Sequence, residues 1–532
     1  METPVSIGVI SLDSSPTDNF TLNTVASRES FQITKADESV DDNFREYQET
    51  KMDYLRQHLR AIILCSLISL GGIILGWDIG TVGGIIIMPS FNNSFGSLFN
   101  TEKELYYLSE VEKGWFISIF SIGCAAGVLV FSRFCNACGR KIAIMMALIA
   151  YVAFITIQLF SGDNFILLIL ARAAMGGTVG VLGVVIPMFV SESSPVKIRG
   201  SLVVIYQLAI TLGILLGNAL NWICYRAITI KDARNNIAWK TTLLFDYLWA
   251  IVVGVGICST PESVQYLAKI VKDYDKAKSS YAYMNNISVF DHETIDYVNT
   301  LSFKEDVYTE NDPNRGRLEF LLGKPRLGKR LFIGIMVMTF QQLSGVNYFF
   351  YFGTTLFREV GIKDTYATSL ILASVNFSST FAGIYLVESL GRRTTLIYGS
   401  FSMFICMVFY SAFGSLNLRT ELSSIVMIVV TCLFISIFAI TLGPVTFVLV
   451  AELFPTRVRG TSMSICSAVS WLVNFAIAFV TPSLISKIGF LLGFVFAGCL
   501  LVATIFEVIM VPETKNKTEE EIDLMFLNNL KN

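Results

Sequence analysis

The run FQQLSGVNYFFYFG, residues 340–353, gathers Gln341, Gln342, Ser344, Asn347, Tyr348 and Tyr351 around Gly345 in a stretch otherwise fit for lipid. Each amide or hydroxyl left unpaired in hydrocarbon costs several kcal/mol. Further amides stand in other apolar runs: Gln207, Asn376 and Asn474. A lone amide of this kind is more simply a bond between helices. As a set they offer donors and acceptors with almost no net charge, the lining that suits a neutral, hydroxyl-rich solute. A charged solute would call for a fixed counter-charge.

Two ionisable residues also stand at depth, Asp78 in GWDIG and Arg172 in LARAAMGG. An unpaired charge there is expensive, so the two are expected to meet. The plain reading is a structural ion pair. The sharper one is a proton site, with Asp78 protonated in one state and paired in another.

The elements that position these groups follow from composition. The chain has 532 residues, is 53% hydrophobic and 15% charged, and holds 41 Phe. Its mean hydropathy is +0.60. A soluble chain would carry about a quarter charged residues. Apolar runs long enough to cross a core of about 30 Å begin near Ala61, Gly114, Ile142, Phe165, Ser201, Thr242, Leu331, Ala367, Thr394, Ser424, Thr461 and Gly489. The expected fold is therefore an all-α membrane protein with about twelve spans.

Residues 1–60 are polar and acidic-leaning, without the basic start and apolar run of a signal peptide, and are expected to form a disordered cytoplasmic tail. Lys and Arg gather in the loops on one side, including the long 261–329 connection, which places both termini in the cytoplasm. The remaining divisions are a six-helix half at 61–260, a cytoplasmic helical linker at 261–329, a second half at 330–511 and a short cytoplasmic tail at 512–532. On the opposite side lies the sequon Asn92-Asn93-Ser94, a candidate glycosylation site at Asn92. The ten cysteines read as small apolar residues. Cys135 and Cys138 form a lone C-x-x-C without the further ligands a metal needs, so no metal site is assigned. With 2 histidines, both outside the spans, no nucleophile–base pair stands out and an enzyme is disfavoured. No basic patch with interleaved aromatics points to nucleic acid.

Two motifs recur in order. Asn136-x-x-Gly139-Arg140-Lys141 is answered by Glu388-x-x-Gly391-Arg392-Arg393. Ser191-Glu192-x-x-Pro195-x-x-x-Arg199-Gly200 is answered by Ala451-Glu452-x-x-Pro455-x-x-x-Arg459-Gly460. Such a duplication is the mark of two six-span units. Arg140 and Arg199 are placed to pair with Glu192, and Arg392 and Arg459 with Glu452, as bonds that hold one face closed and break when it opens. Charges that only mark the membrane boundary would explain Arg and Lys, but not Glu at matched places in both halves.

Together GWDIG, N-x-x-GRK, E-x-x-GRR, SESSPVKIRG, PES at 261–263, QQLSGVN, AELFPTRVRG and PETK at 512–515 resemble the sugar porter family of the major facilitator superfamily, and GVNYFFYFGT resembles its fungal hexose transporters. The resemblance implies the major facilitator fold, twelve helices in two six-helix halves, and needs no cofactor. It makes Gln207, Gln341, Gln342, Asn347, Asn376 and Asn474 sugar hydrogen-bonding positions, with Tyr351 and Phe447 beside them. It assigns Asp78 and Arg172 to proton coupling in those relatives that are symporters. The chain departs from the family pattern where Asn136 replaces Asp, Gln265 replaces Arg, Phe447 replaces Trp and Phe352 replaces Tyr. The last two changes bear on which sugar is preferred.

At about 100° per residue, Gln341, Gln342 and Asn347 would spread around an unbroken helix. They converge only if the helix is interrupted near Ser344 and Gly345, and such a break is expected. The function expected is facilitated movement of a hexose by alternating access across the plasma membrane. Proton-coupled symport through Asp78 and Arg172 is the alternative, and a sugar sensor without useful flux is a third reading. The partners expected are the hexose, the bilayer and, for symport, protons. Oligomeric state and the preferred hexose are not read from sequence.

Overall fold

Apolar runs with no water to satisfy their backbone must bond internally, and here they do so as helices. The computed structural model describes residues 56–101, 105–195, 198–232, 234–306, 319–359, 364–416, 421–515, 517 and 519–528. Residues 1–55 of the expected N-terminal tail lie outside the described residues, as do the side chains of Arg199 and Glu388, whereas 56–60 are described and Leu59 already opens the first helix.

Among the described residues the long helices form twelve successive rods. Span 1 is Leu59–Ser69 with Gly72–Ile85, span 2 Glu110–Cys138, span 3 Arg140–Leu159, span 4 Phe165–Ser193, span 5 Arg199–Cys224 and span 6 Ile237–Cys258. Span 7 is Leu327–Leu343 with Val346–Glu359, span 8 Thr365–Leu390 and span 9 Arg392–Ser415. Span 10 is Glu421–Ile440 with Leu442–Leu453, span 11 Thr456–Ile488 and span 12 Leu492–Met510. Nine stretches among the described residues are long and apolar enough to cross a membrane, the last of them, Val458–Met510, holding spans 11 and 12. Spans 7 and 8 are not among them. Large apolar side chains such as Val130, Ile149 and Ile509 stand exposed on the outer surface, as lipid-facing positions would.

Spans 1 and 5 approach closely because Gly72, Gly76 and Gly80 offer no side chain, so their backbone lies against the Tyr206–Ile214 stretch. Between spans 6 and 7 short helices run from Tyr274 to Asn285 and from His292 to Asp306. Val264, Ala268, Ala277, Tyr281 and Val298 form a small core of their own there. His58 bonds Asn285 at 2.8 Å, and Arg60 lies 3.6 Å from the centre of the Tyr283 ring, so this linker is tied to the entry of span 1.

Two elements were not anticipated. A hairpin of Leu98–Asn100 against Leu105–Tyr107 joins spans 1 and 2. A final helix, Glu519–Asn528, docks through Asp523 on buried Arg330 at 2.7 Å, with Phe526 beneath the guanidinium.

Candidate functional site

The expected interruption in span 7 is present. The first helix ends at Leu343 and the next begins at Val346, with Gly345 at φ +88°. A side chain is excluded at Gly345 twice over, by the positive φ and by the neighbours, since a Cβ would lie 2.9 Å from both Met407 and Phe496. Ser344 Oγ donates to the Gln341 carbonyl at 2.7 Å and so takes up part of the broken ladder.

Across this break the amides converge. Asn347 Nδ2 donates to Gln342 Oε1 at 2.8 Å and to Asn474 Oδ1 at 3.0 Å. Gln342 Nε2 donates to Ser470 Oγ at 2.9 Å. Asn474 Nδ2 donates to Ser121 Oγ at 3.2 Å and to the Tyr351 hydroxyl at 3.4 Å. The cluster thus joins spans 7 and 11 to span 2 and contains no charged group.

Gln341 differs from the expectation. Its Nε2 donates to the carbonyls of Leu442 and Gly443, at 2.9 and 3.2 Å, where span 10 is itself interrupted at Thr441. It therefore serves the span 10 backbone, because it leaves the helix on a different side from Gln342. Asn376 is buried and Gln207 half-buried, and neither joins the cluster through the bonds described. Phe447 is 46% exposed while Thr446 and Leu449 beside it are buried.

Asp78 and Arg172 meet as expected, with Nη2 at 3.0 Å from Oδ1. Arg172 Nε also donates to the Phe116 carbonyl at 2.7 Å, and its guanidinium lies over the Phe116 and Phe120 rings. The expectation of two ionisable groups at depth needs correction. Asp246 in span 6 is buried and accepts from the Tyr151 hydroxyl at 2.7 Å, and Glu507 in span 12 is buried and accepts from Ser400 at 2.9 Å. DYLWA and FEVIM lay within the apolar runs and carried the signal.

At the loop face bearing the repeated motifs, the two halves are built alike. Arg140 clasps Glu192 with Nε and Nη2, both at 3.1 Å, and Arg392 clasps Glu452 at 3.1 and 2.8 Å. Planar guanidinium and carboxylate match in such two-point bonds. Arg459 Nε donates to the Phe454 carbonyl at 3.1 Å, and Arg393 Nη2 to the Val508 carbonyl at 2.5 Å.

A second carboxylate in each half was missed. Glu262 accepts from the backbone N–H groups of Arg140 and Lys141, and Glu513 from those of Arg392 and Arg393. These are orphan donors at the starts of spans 3 and 9, where negative charge is favoured. Gly139 and Gly391, at φ +95° and +92°, admit the two carboxylates where a Cβ would collide with them. Ser263 and Thr514 complete the pattern by donating to Glu192 and Glu452. The repeated P-E-S and P-E-T were the signal, at an offset matching the other motifs. Tyr266 packs its ring 4.7 Å from the Arg140 guanidinium.

Burial pushes Glu262 above the usual carboxylate value despite these bonds. For Glu513 burial also acts upward, but the backbone N–H donors outweigh it and hold the group below that value. The difference follows from depth, since Glu262 is the more enclosed of the two.

On the opposite face, contacts between the halves form a seal. Thr354 and Tyr366 donate their hydroxyls to the Gly83 and Gly84 carbonyls at 3.2 and 3.1 Å. Arg226 pairs with Asp364 at 3.1 Å, and Tyr225 stacks on Tyr366 with ring centres 4.6 Å apart. Burial acts upward on Asp364, but the Ala367 N–H, Arg226 and Trp222 hold it below the ordinary aspartate value. Asn92 sits near this face, with its Nδ2 donating to the Ile86 and Met88 carbonyls at 3.0 and 3.1 Å, so a glycan there would displace bonds that shape the loop.

Residues 64–526 match the family model "Sugar (and other) transporter". Hexose transporter HXT14 of Saccharomyces cerevisiae is 49% identical over 481 residues, covering 87% of this chain and 88% of that one. A low-affinity glucose transporter of Kluyveromyces lactis is 36% identical over 504 residues, covering 92% and 87% respectively. Among solved structures, the proton:xylose symporter XylE bound to 6-bromo-6-deoxy-D-glucose superposes with a TM-score of 0.71 at 22% identity, covering 87% of this chain and 99% of that one. The inward open conformation of XylE from E. coli gives 0.70 at 22%, with coverage of 87% and 99%. The fold is that of the major facilitator superfamily, and the chain, a multi-pass membrane protein, belongs to the sugar transporter family.

Proposed function

We propose that this protein carries a hexose across the plasma membrane by facilitated diffusion, through alternating access between its two halves. One observation carries the reading: an uncharged amide and hydroxyl cluster, built from Gln342, Asn347, Asn474 and Tyr351, converges where span 7 is interrupted. Amides there can replace the water that a sugar loses on entry, without any counter-charge. The relatives named as hexose and glucose transporters agree with it.

In this reading Gln342, Asn347, Tyr351 and Asn474 bind the sugar directly. Gln207, Asn376 and Phe447 line its path, and Gln341 holds the interrupted backbone of span 10 beside it. The halves at 61–260 and 330–511 rock about it, the linker at 261–329 braces the face bearing the motifs, and that face with both termini is cytoplasmic. The pairs Arg140–Glu192 and Arg392–Glu452 gate that face, and Arg199, Glu388, Arg393 and Arg459 of the same repeated motifs are assigned to that gate. The protein is a transporter and not an enzyme.

Proton-coupled symport is the second reading, favoured by the buried Asp78–Arg172 pair. The pair is held on several sides, by the Phe116 carbonyl and two rings, which fits a structural role as well.

Labelled hexose uptake in cells lacking their own transporters, followed to plateau with and without a protonophore, decides. Equal concentrations inside and out, indifferent to the protonophore, support the facilitator. Accumulation that collapses with the protonophore supports symport. No uptake of any hexose by protein at the cell surface overturns both and favours a sensor.

A further inference from the structure

Asn474 has each polar atom of its side chain engaged. Oδ1 accepts from Asn347 at 3.0 Å, and Nδ2 donates to the Tyr351 hydroxyl at 3.4 Å and to Ser121 Oγ at 3.2 Å. A carboxamide nitrogen has two hydrogens and no more. A solute hydroxyl that accepts from Nδ2 must therefore displace Tyr351 or Ser121.

The two partners are not equivalent. Tyr351 stands on span 7, four residues beyond Asn347, in the same half as Asn474. Ser121 stands on span 2, in the other half. It lies along a line of contacts between spans 2 and 11. Along that line Trp115 meets Phe479 with ring centres 5.0 Å apart, and Phe120 meets Trp471 at 6.3 Å. If the halves part at the sealed face, these contacts between spans 2 and 11 must part with them, and so must the bond carried by Ser121. Both Ser121 and Asn474 are 1% exposed, so water does not stand ready to replace either partner.

We infer that Ser121 holds the place of a solute hydroxyl. In the empty carrier its Oγ accepts the Asn474 N–H that a bound hexose takes, so Ser121 and the sugar compete for one donor. The inference rests on the hexose-carrier reading and assigns Ser121 a role in setting affinity. In the state sealed on this face, Ser121 weakens sugar binding. As that face opens, Ser121 withdraws and an unclaimed N–H meets the entering solute. One neutral hydrogen bond displaced corresponds to a handicap of about three- to tenfold in affinity.

The test is equilibrium binding of labelled D-glucose, D-fructose, D-galactose and D-mannose to the purified full-length protein in detergent, where both faces are accessible. Ser121→Ala is expected to lower the Kd at least about threefold, and Ser121→Thr, which keeps the hydroxyl, to restore the wild-type value. A Kd unchanged or raised in Ser121→Ala overturns the proposal. That is the result for a bond that merely fastens the halves and persists with sugar bound, because its loss then affects empty and bound protein alike. Ser121→Cys, a weaker acceptor, serves the same purpose if the alanine variant does not fold. Folded wild-type protein that binds none of the four sugars overturns the hexose reading and this proposal together. Measurable wild-type binding with an unchanged Ser121→Ala value overturns this proposal alone.

Discussion

Asn347 reaches back across the interruption at Gly345 to donate a 2.8 Å hydrogen bond to Gln342. The two residues are five apart in sequence, a spacing that would place them on opposite sides of a continuous helix. The break is what makes them neighbours.

Gln342→Ala removes both the acceptor for Asn347 and the donor to Ser470. Uptake of every accepted hexose is expected to fall about tenfold, the worth of one or two hydrogen bonds, with surface expression retained. Normal uptake at normal surface level would remove Gln342 from the site.

Gly345→Ala attacks the geometry itself. The positive φ and the crowding by Met407 and Phe496 together should destabilise the protein by about 1–3 kcal/mol. Thermal unfolding in detergent measures the loss, and uptake should fail even in the fraction that remains folded. An alanine variant with wild-type stability and transport would mean that the interruption does not depend on this glycine.

Glu513 sets a pH dependence. Its folded value is held below the ordinary carboxylate value, so its ionised form stabilises the folded state at neutral pH, and that stability is lost as pH falls through the depressed folded value. Glu513→Gln should therefore be less stable than wild type at pH 7, with the gap closing in acid. Glu262 has the opposite sign: its folded value is raised by burial, so its ionised form costs stability at neutral pH, and that stability is regained as pH falls through the raised folded value. Unfolding curves of Glu262→Gln and Glu513→Gln across this range check the two opposite signs. A gap for Glu513→Gln that stays constant with pH would contradict the first of them.

Asp364→Asn weakens the seal between the halves. Arg226 is 57% exposed in that pair, so the effect is small, within about 1 kcal/mol, or at most about fivefold in the balance between states. In proteoliposomes, KM for entry from the sealed face should fall. If the ratio of KM values from the two faces stays at wild type in both Asp364→Asn and Arg226→Gln, the pair does not bias the equilibrium.

Much of this molecule is decided locally and was readable as sequence. Length and apolarity mark the spans, because each must satisfy its backbone within itself. The duplicated Arg and Glu motifs announced two like halves and the clasps Arg140–Glu192 and Arg392–Glu452. The crowding of Gln342, Asn347 and Gly345 demanded an interrupted helix, and the cost of a lone buried charge required Asp78 to meet Arg172. Tertiary structure alone decided where the remaining polar groups point. Gln341 turns to the carbonyls of span 10, Glu262 and Glu513 seat on the starts of spans 3 and 9, and Asp246 finds Tyr151. Ser121 meets Asn474 from 353 residues away. Helical periodicity says which residues share a face, but the partner of that face depends on how rods distant in sequence pack, and that information is not local.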